Sequence, residues 1–156
     1  MITLQQVNPE DVGTITTALS WIDSAPRWFR DCDAVWGRDT PATYAAKLAQ
    51  QVDWGVFVDE SLHSIISLTL AGKGVYNVHL MAQRRADPEP LIIAGRSMRQ
   101  QLFIFGAREI WCWLAQMNRG VQKIAQAIGF VKDGVQMFKG QTHGRVILWE
   151  RFSCRV

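Results

Sequence analysis

The stretch from Val75 to Gly129 constrains the fold most, because strand patterns and helix patterns alternate along it. Residues Val75–Ala82 repeat with the period of two that is typical of a strand. Apolar residues then recur at steps of three and four, which predicts a helix with one buried face. The residues of that face are Leu91, Ala94, Met98, Leu102 and Phe105.

A second strand and a second helix complete this stretch. Ile110–Leu114 is an apolar run of strand length. Asn118 is predicted to begin a helix that ends at Gly129, because glycine adopts the left-handed C-terminal conformation at little cost. Ahead of the first helix, Asp87 is predicted to be the N-cap and Pro88 the first helical residue. The two strands should therefore pair in parallel through a right-handed crossover.

Asn118, Gly129 and Phe130 carry a resemblance to a known family. An Asn followed by Gly-Phe eleven and twelve residues later, after strand, turn, helix and strand, resembles the GCN5-related N-acetyltransferase (GNAT) superfamily. The resemblance implies an α/β (α+β) fold of the acyl-CoA N-acyltransferase type, with a mixed central sheet of about six or seven strands and about four helices. It implies one domain over residues 1–156, which suits a chain of this length.

The family's cofactor loop is poorly matched. In the GNAT superfamily, a turn of the form Arg/Gln-x-x-Gly-x-Gly/Ala holds the acyl-CoA pyrophosphate at the start of the first of these helices. If Arg85 takes the first position, the two glycine positions are Pro88 and Pro90. A helix start binds anions through free N–H groups, and proline has none. Asp87 and Glu89 add negative charge, so we expect no bound cofactor.

The family's general acid is also missing. Its members commonly place a tyrosine seven residues after the Asn, to protonate the leaving thiolate, and Ala125 stands there in this chain. A methyl group cannot transfer a proton. We therefore predict a non-catalytic binding or assembly protein with a protein partner. Residues 110–130 are similar to stripped GNAT-like proteins of tailed phages, which implies a virion or head-assembly component.

The alternative is an active N-acyltransferase that uses acetyl-CoA and acts on an amine. Its catalytic candidates are Asn77 and His79, which share one face of the central strand, since a histidine can act as a general base near neutral pH. The other interpretation of His79 is a strand histidine satisfied by a neighbour. If CoA binds, Arg84, Arg85 and Asn118 are the candidate contacts.

The remaining sequence is predicted to pack around this unit. Ile2–Val7 is predicted as a strand, and Asn8 and Pro9 as the start of a helix. The other predicted elements are a helix over 40–51, strands over 54–58 and 63–71, and a final hairpin over 135–139 and 145–152.

Residues 24–39 are irregular and aromatic. Trp28, Phe29 and Trp36 lie there among charged residues. One hypothesis makes them a substrate or partner surface. The other makes the segment a loop that its own aromatic residues attach to the core.

A third hypothesis is a nucleic-acid-binding module. The chain carries a formal net charge of +3, and five arginines lie around the central helix. They are Arg84, Arg85, Arg96, Arg99 and Arg108. Together with loop aromatics, they could bind a nucleic acid backbone and bases. The simpler interpretation is a solvated polar helix face.

Composition limits the remaining classes. Cys32, Cys112 and Cys154 are widely spaced and odd in number, which favours reduced thiols and no metal site. No apolar run approaches the roughly 20 residues that cross a bilayer, and the N-terminus lacks a secretion signal. We therefore expect a soluble protein of the cytoplasm, or of a host cytoplasm or virion if phage-encoded. Self-association stays open.

Overall fold

The computed structural model of the chain describes residues 1–24, 41–142 and 145–156. In these ranges, seven strands form one mixed sheet with the order β1-β2-β3-β4-β5-β7-β6. The strands are β1 (Ile2–Gln6), β2 (Val52–Val58), β3 (Ser61–Gly72), β4 (Val75–Ala82), β5 (Glu109–Ala115), β6 (Val131–Thr142) and β7 (Arg145–Arg155). The helices are α1 (Val12–Asp23), α2 (Pro41–Leu48), α3 (Glu89–Ile104) and α4 (Arg119–Ile128). The predicted fold class is confirmed.

The only parallel pair in the described sheet is β4 with β5, and this confirms the pairing that the sequence predicts. All other neighbours are antiparallel. The hairpin between β2 and β3 turns at Asp59 and Glu60, which both have positive φ, as the two central residues of a type I′ turn require.

The two faces of the sheet are packed unequally. The larger core lies under α3 and α4 and includes Leu91, Ala94 and Met98, as predicted. The smaller cluster lies under α1 and contains Ile15 and Ile65. Phe105 does not join either core: the helix ends at Ile104, and Phe105 lies at the C-cap with 82% of its surface exposed. The prediction of a buried Phe105 is therefore wrong.

Two helices begin at residues other than those predicted. The N-cap of α1 is Asp11, whose carboxylate accepts hydrogen bonds from Gly13 and Thr14, whereas the Asn8 side chain accepts the Glu10 N–H ahead of the helix. The N-cap of α3 is Pro88 and its first residue is Glu89, one position later than predicted. Asp87 nevertheless accepts a hydrogen bond from this helix end, because its Oδ1 lies 3.0 Å from the Glu89 N–H nitrogen.

Helix α4 follows the prediction closely. The Asn118 side chain accepts the Val121 N–H at 3.3 Å, so Asn118 is the N-cap. Gly129 ends the helix with φ of 109°, a left-handed conformation that glycine adopts without a Cβ penalty. Elsewhere the predicted bounds need correction: α2 ends at Leu48 rather than 51, and β6 begins at Val131 rather than 135.

Candidate functional site

Strands β4 and β5 separate towards their C-terminal ends. They pair at only three positions, the last of which joins Asn77 to Trp111. Strand β4 continues to Ala82 and β5 to Ala115, and these later residues have no pairing with each other in the described sheet. A cleft therefore opens where the two strands end. In open α/β sheets, ligands bind at the carboxyl ends of parallel strands.

The start of α3 borders this cleft but offers few hydrogen-bond donors. Pro88 and Pro90 have no N–H, and the Glu89 N–H is already bonded to Asp87. Among residues 88–91, only the Leu91 N–H is left. A helix start binds phosphate through several free amides together with the helix dipole. The residues here do not fit a pyrophosphate group.

The charges at this turn are mixed. Asp87 and Glu89 are exposed carboxylates, and Arg84 and Arg85 are exposed on the connection from β4. Arg85 has φ of 64°, in the left-handed region that L-residues other than glycine rarely adopt. The turn is closed by a hydrogen bond from the Ala86 N–H to the Gln83 carbonyl at 3.1 Å. The turn that leads into α3 thus carries two exposed cations and two exposed anions.

Asn77 and His79 lie on the same strand face, as the alternation along β4 predicts. Asn77 is half-buried, and its Oδ1 has no hydrogen-bond partner within the described ranges. His79 is exposed and lies beyond the last residue that pairs with β5. Their assignment as catalytic residues stays a prediction.

A buried carboxylate that the sequence analysis missed lies in the same row of the sheet. The register places Ser67 of β3 opposite Asp53 of β2, and His79 of β4 opposite Ser67. The Ser67 hydroxyl donates to Asp53 Oδ1, and Gln51 Nε2 donates to the same atom at 2.9 Å. Asp53 is 3% exposed, and its Oδ2 accepts no hydrogen bond from any described residue.

Burial raises the pKa of Asp53 to about 6, against the lowering effect of the Ser67 and Gln51 hydrogen bonds. The carboxyl can therefore hold or release a proton near neutral pH. A sequence signal did exist, because Asp53 interrupts the otherwise apolar strand Val52–Val58.

The other predicted site residues have ordinary structural environments or lie outside the described ranges. Asn118 uses its Oδ1 as a helix cap. Ala125, at the position of the family's tyrosine, is fully buried in the α3-side core. Burial raises the pKa of the Cys112 thiol to about 12, so this cysteine is an unreactive core residue. Trp28, Phe29 and Trp36 lie outside the described residues.

The five arginines do not form one surface. Arg84 and Arg85 precede α3, whereas Arg96 and Arg99 line a cavity beside its second half. Arg108 donates through Nε to the Lys73 carbonyl at 3.2 Å and holds the loop before β5. Within the described residues, no cluster of His, Cys, Asp and Glu suits a metal ion. None of the described helices has the length and apolar character that a bilayer crossing requires.

The sequence matches no family model and no curated protein. Its structure is similar to several solved acetyltransferases. The GNAT-family acetyltransferase of Streptococcus pneumoniae has a TM-score of 0.78 with 12% identity over 100% of both chains. An N-acetyltransferase of Staphylococcus aureus Mu50 has a TM-score of 0.75 with 9% identity, covering 99% of this chain and 98% of the other.

The ribosomal-protein-S5-alanine acetyltransferase of Vibrio fischeri has a TM-score of 0.68 with 13% identity, covering 99% of this chain and 92% of that enzyme. Sequence identities this low support a shared fold but not a shared reaction. The sheet order, the parallel β4–β5 pair and these similarities lead to one conclusion: the chain has the fold of the GCN5-related N-acetyltransferases.

Proposed function

We propose that this chain is a non-catalytic GNAT-fold protein that acts as a binding or assembly component. The observation that carries the proposal is the start of α3, where two prolines and one hydrogen bond to Asp87 remove three of the four amides of residues 88–91. Hydrogen bonds to a charged group contribute about 1.5–3 kcal/mol each. The two N–H groups that Pro88 and Pro90 lack would together contribute roughly 3–6 kcal/mol to the binding free energy of a diphosphate. This corresponds to a factor of about 10² to 10⁴ in affinity.

The buried methyl group of Ala125 supports the same proposal. The position at which the family carries a proton-donating hydroxyl packs here against the core below α3. Two separate pieces of the reaction, cofactor binding and protonation of the thiolate, therefore lack their usual groups.

Calorimetric titration with acetyl-CoA tests this proposal. We expect no saturable heat at millimolar acetyl-CoA, because the α3 start cannot hold the diphosphate. Micromolar binding to the wild-type chain would contradict the proposal. The variant with Arg84→Gln and Arg85→Gln is the matched control: any affinity that these exposed side chains supply is lost in it, while the backbone of α3 is unchanged.

The row of Asp53, Ser67 and His79 favours a second candidate, an active N-acyltransferase that binds acetyl-CoA through side chains. A histidine beside a buried carboxyl network is suited to accept a proton from an amine. This candidate predicts release of free CoA thiol from acetyl-CoA in the presence of amines, and at least a tenfold loss of that rate in His79→Ala. Absence of thiol release from an amine panel removes it.

The partner is proposed to be a protein, on the basis of the resemblance to phage GNAT-like proteins. Capsid or portal genes adjacent to the gene of this chain would support a virion role, and a neighbourhood of unrelated metabolic genes would speak against it. A nucleic-acid-binding role has less support, because the arginines are divided between the two ends of α3. An affinity for DNA or RNA that falls steeply as the salt concentration rises would support the nucleic-acid-binding role.

A further inference from the structure

A basic cavity lies on the α3 side of the sheet, away from the cleft between β4 and β5. Its volume is about 710 Å³, within the range of small-molecule sites. Three arginines line it, Arg96 and Arg99 from α3 and Arg155 from the end of β7. No carboxylate belongs to the described lining. The lining therefore carries net positive charge, although Glu109, outside the lining, pairs with Arg155.

The Arg99 guanidinium forms a side-chain hydrogen bond with the thiol of Cys154, which also belongs to the cavity lining. The Arg99 Nε is buried and has no hydrogen-bond partner in the described ranges. A buried charged donor without an acceptor costs more than an ordinary missing hydrogen bond. The guanidinium lies directly over Gly129, where an added Cβ would come within 2.8 Å of Arg99 Cζ. Because Gly129 has no side chain, there is room for the Arg99 guanidinium beside it.

The other two arginines are oriented by single hydrogen bonds. Arg96 donates through Nε to the Ala127 carbonyl at 2.8 Å, near the C-terminal end of α4. Arg155 donates through Nη2 to Glu109 Oε1 at 3.1 Å. A guanidinium has five N–H donors. Both side chains are exposed and keep N–H donors for a further acceptor, although the charge of Arg155 is paired with Glu109.

The rest of the lining is apolar. Phe103, Ile104 and Val131 contribute to the wall, and Ile104 and Val131 are each 66% exposed. A ligand that covered this wall would bury apolar surface while its anionic end faced the guanidinium groups. A cavity with cationic groups on one side and apolar surface on the other is complementary to a small amphiphilic anion.

We propose that this cavity binds a small organic oxyanion, a phosphate monoester or a carboxylate that carries an aromatic or aliphatic group. The oxyanion accepts hydrogen bonds from Arg99 and from Arg96 or Arg155, since guanidinium groups pair with carboxylate and phosphate through two parallel bonds. The apolar group packs against Phe103, Ile104 and Val131. This site is separate from the cofactor cleft and does not depend on whether the chain transfers acyl groups.

Calorimetric titration with phenyl phosphate and with benzoate tests the site, because both probes carry a phenyl ring and differ in the oxyanion. We expect saturable binding of at least one probe and at least a tenfold weaker affinity in Arg99→Gln. Binding of phenyl phosphate alone identifies a phosphate site, binding of benzoate alone a carboxylate site, and binding of both a general oxyanion site. Arg84→Gln, at the other end of α3, should leave the affinity unchanged.

Arg155→Gln covers the case in which Arg99→Gln does not fold, because the Arg155 side chain is 59% exposed. It should weaken the same probe several-fold. The proposal is overturned if neither probe binds, if Arg155→Gln and a folded Arg99→Gln variant bind the probes as the wild type does, or if Arg84→Gln weakens binding as much as Arg155→Gln does. The same variants separate this site from the proposed function: acetyl-CoA heat that disappears in Arg155→Gln comes from the basic cavity, and heat that persists comes from the cleft.

Discussion

The start and the second half of α3 differ in the hydrogen-bond donors that they offer to an anion. At the N-terminal end of α3, backbone amides would normally attract a phosphate, but Pro88 and Pro90 lack them and Asp87 occupies a third. Beside its second half, Arg96 and Arg99 turn guanidinium groups towards a cavity whose described lining has no carboxylate. One helix therefore has few free backbone donors at its start and carries two cavity-lining arginines further along.

This comparison shows that anion binding by a fold depends on which donors remain free. Backbone donors at a helix start come with the fold, and a few substitutions to proline remove them. Side-chain donors can be placed elsewhere without disturbing the sheet. The GNAT fold is thus present here with few free backbone donors at the start of α3.

The largest effect is expected from restoring backbone donors at the start of α3. The double variant Pro88→Gly with Pro90→Ala returns two amides and should strengthen acetyl-CoA binding by about 100-fold, at about 1.5 kcal/mol for each restored charge-assisted bond. Calorimetry compares the variant with the wild type, and thermal unfolding checks that both are folded. An unchanged affinity would show that the missing amides are not what blocks this end.

The second effect concerns the second half of α3. Gly129→Ala should lower the free energy of unfolding by about 2–3 kcal/mol, because φ of 109° strains an L-residue and the new methyl group displaces Arg99. It should also weaken probe binding in the basic cavity. Gly120→Ala is the matched control, since its Cβ would meet only Asn118 Oδ1, at 4.0 Å. Equal stabilities of the two variants by urea unfolding would contradict this role of Gly129.

The third prediction concerns the buried carboxyl of Asp53. Its folded-state pKa of about 6 lies above its ordinary value of 3.8, so the folded protein binds the proton more tightly than the unfolded chain does. The resulting stabilisation is complete below about pH 4 and is lost as the pH rises through 6. After allowance for screening by solvent, we expect a loss of about 1–2 kcal/mol across this window.

Asp53→Asn should remove this part of the pH dependence, whereas Asp23→Asn, at an exposed position at the end of α1, should leave it unchanged. Urea unfolding at pH 4, 5, 6 and 7 measures the difference between each variant and the wild type. Parallel curves for Asp53→Asn and the wild type would show that Asp53 does not titrate in this range.

The smallest effect is expected from Asp87. Asp87→Ala removes the acceptor of the Glu89 N–H and should cost about 1 kcal/mol in the free energy of unfolding. Glu89→Gln, which removes a charge at the same helix end, should change stability by only a few tenths of a kcal/mol. Since the prolines remain, neither variant should bind acetyl-CoA. Acetyl-CoA binding by Asp87→Ala would make Asp87, rather than the prolines, the blocking residue.

Local signals in the sequence were sufficient for much of the fold. Strand β4 has the predicted bounds, because its period of two is followed by a turn with two prolines. The Asn118 cap and the Gly129 end of α4 were predicted because each depends on one residue type with a specific conformation. The predicted start of α1 was wrong, since Asn8 and Asp11 are both competent N-caps and residue type alone does not decide between them.

The candidate sites were less accessible to sequence reasoning. The basic cavity combines residues of α3, the residue after α4, the start of β6 and the end of β7. No local pattern joins positions as distant as Arg99 and Arg155. The row of Asp53, Ser67 and His79 depends on the register of three strands, which pairing and turn geometry set across the whole sheet.

Strand β6 forms one edge of the sheet. Its pairing with β7 is interrupted by register shifts between Lys132 and Gln136 and between Phe138 and Gln141. A twelve-residue border of this kind, if straight, would template the addition of further chains, particularly with Phe138 77% exposed. Interruptions of this kind bend and twist a strand, which makes a sheet edge less suited to pair with another chain. The irregular pairing of β6 is therefore unfavourable for edge-to-edge addition of a second chain at this side of the sheet.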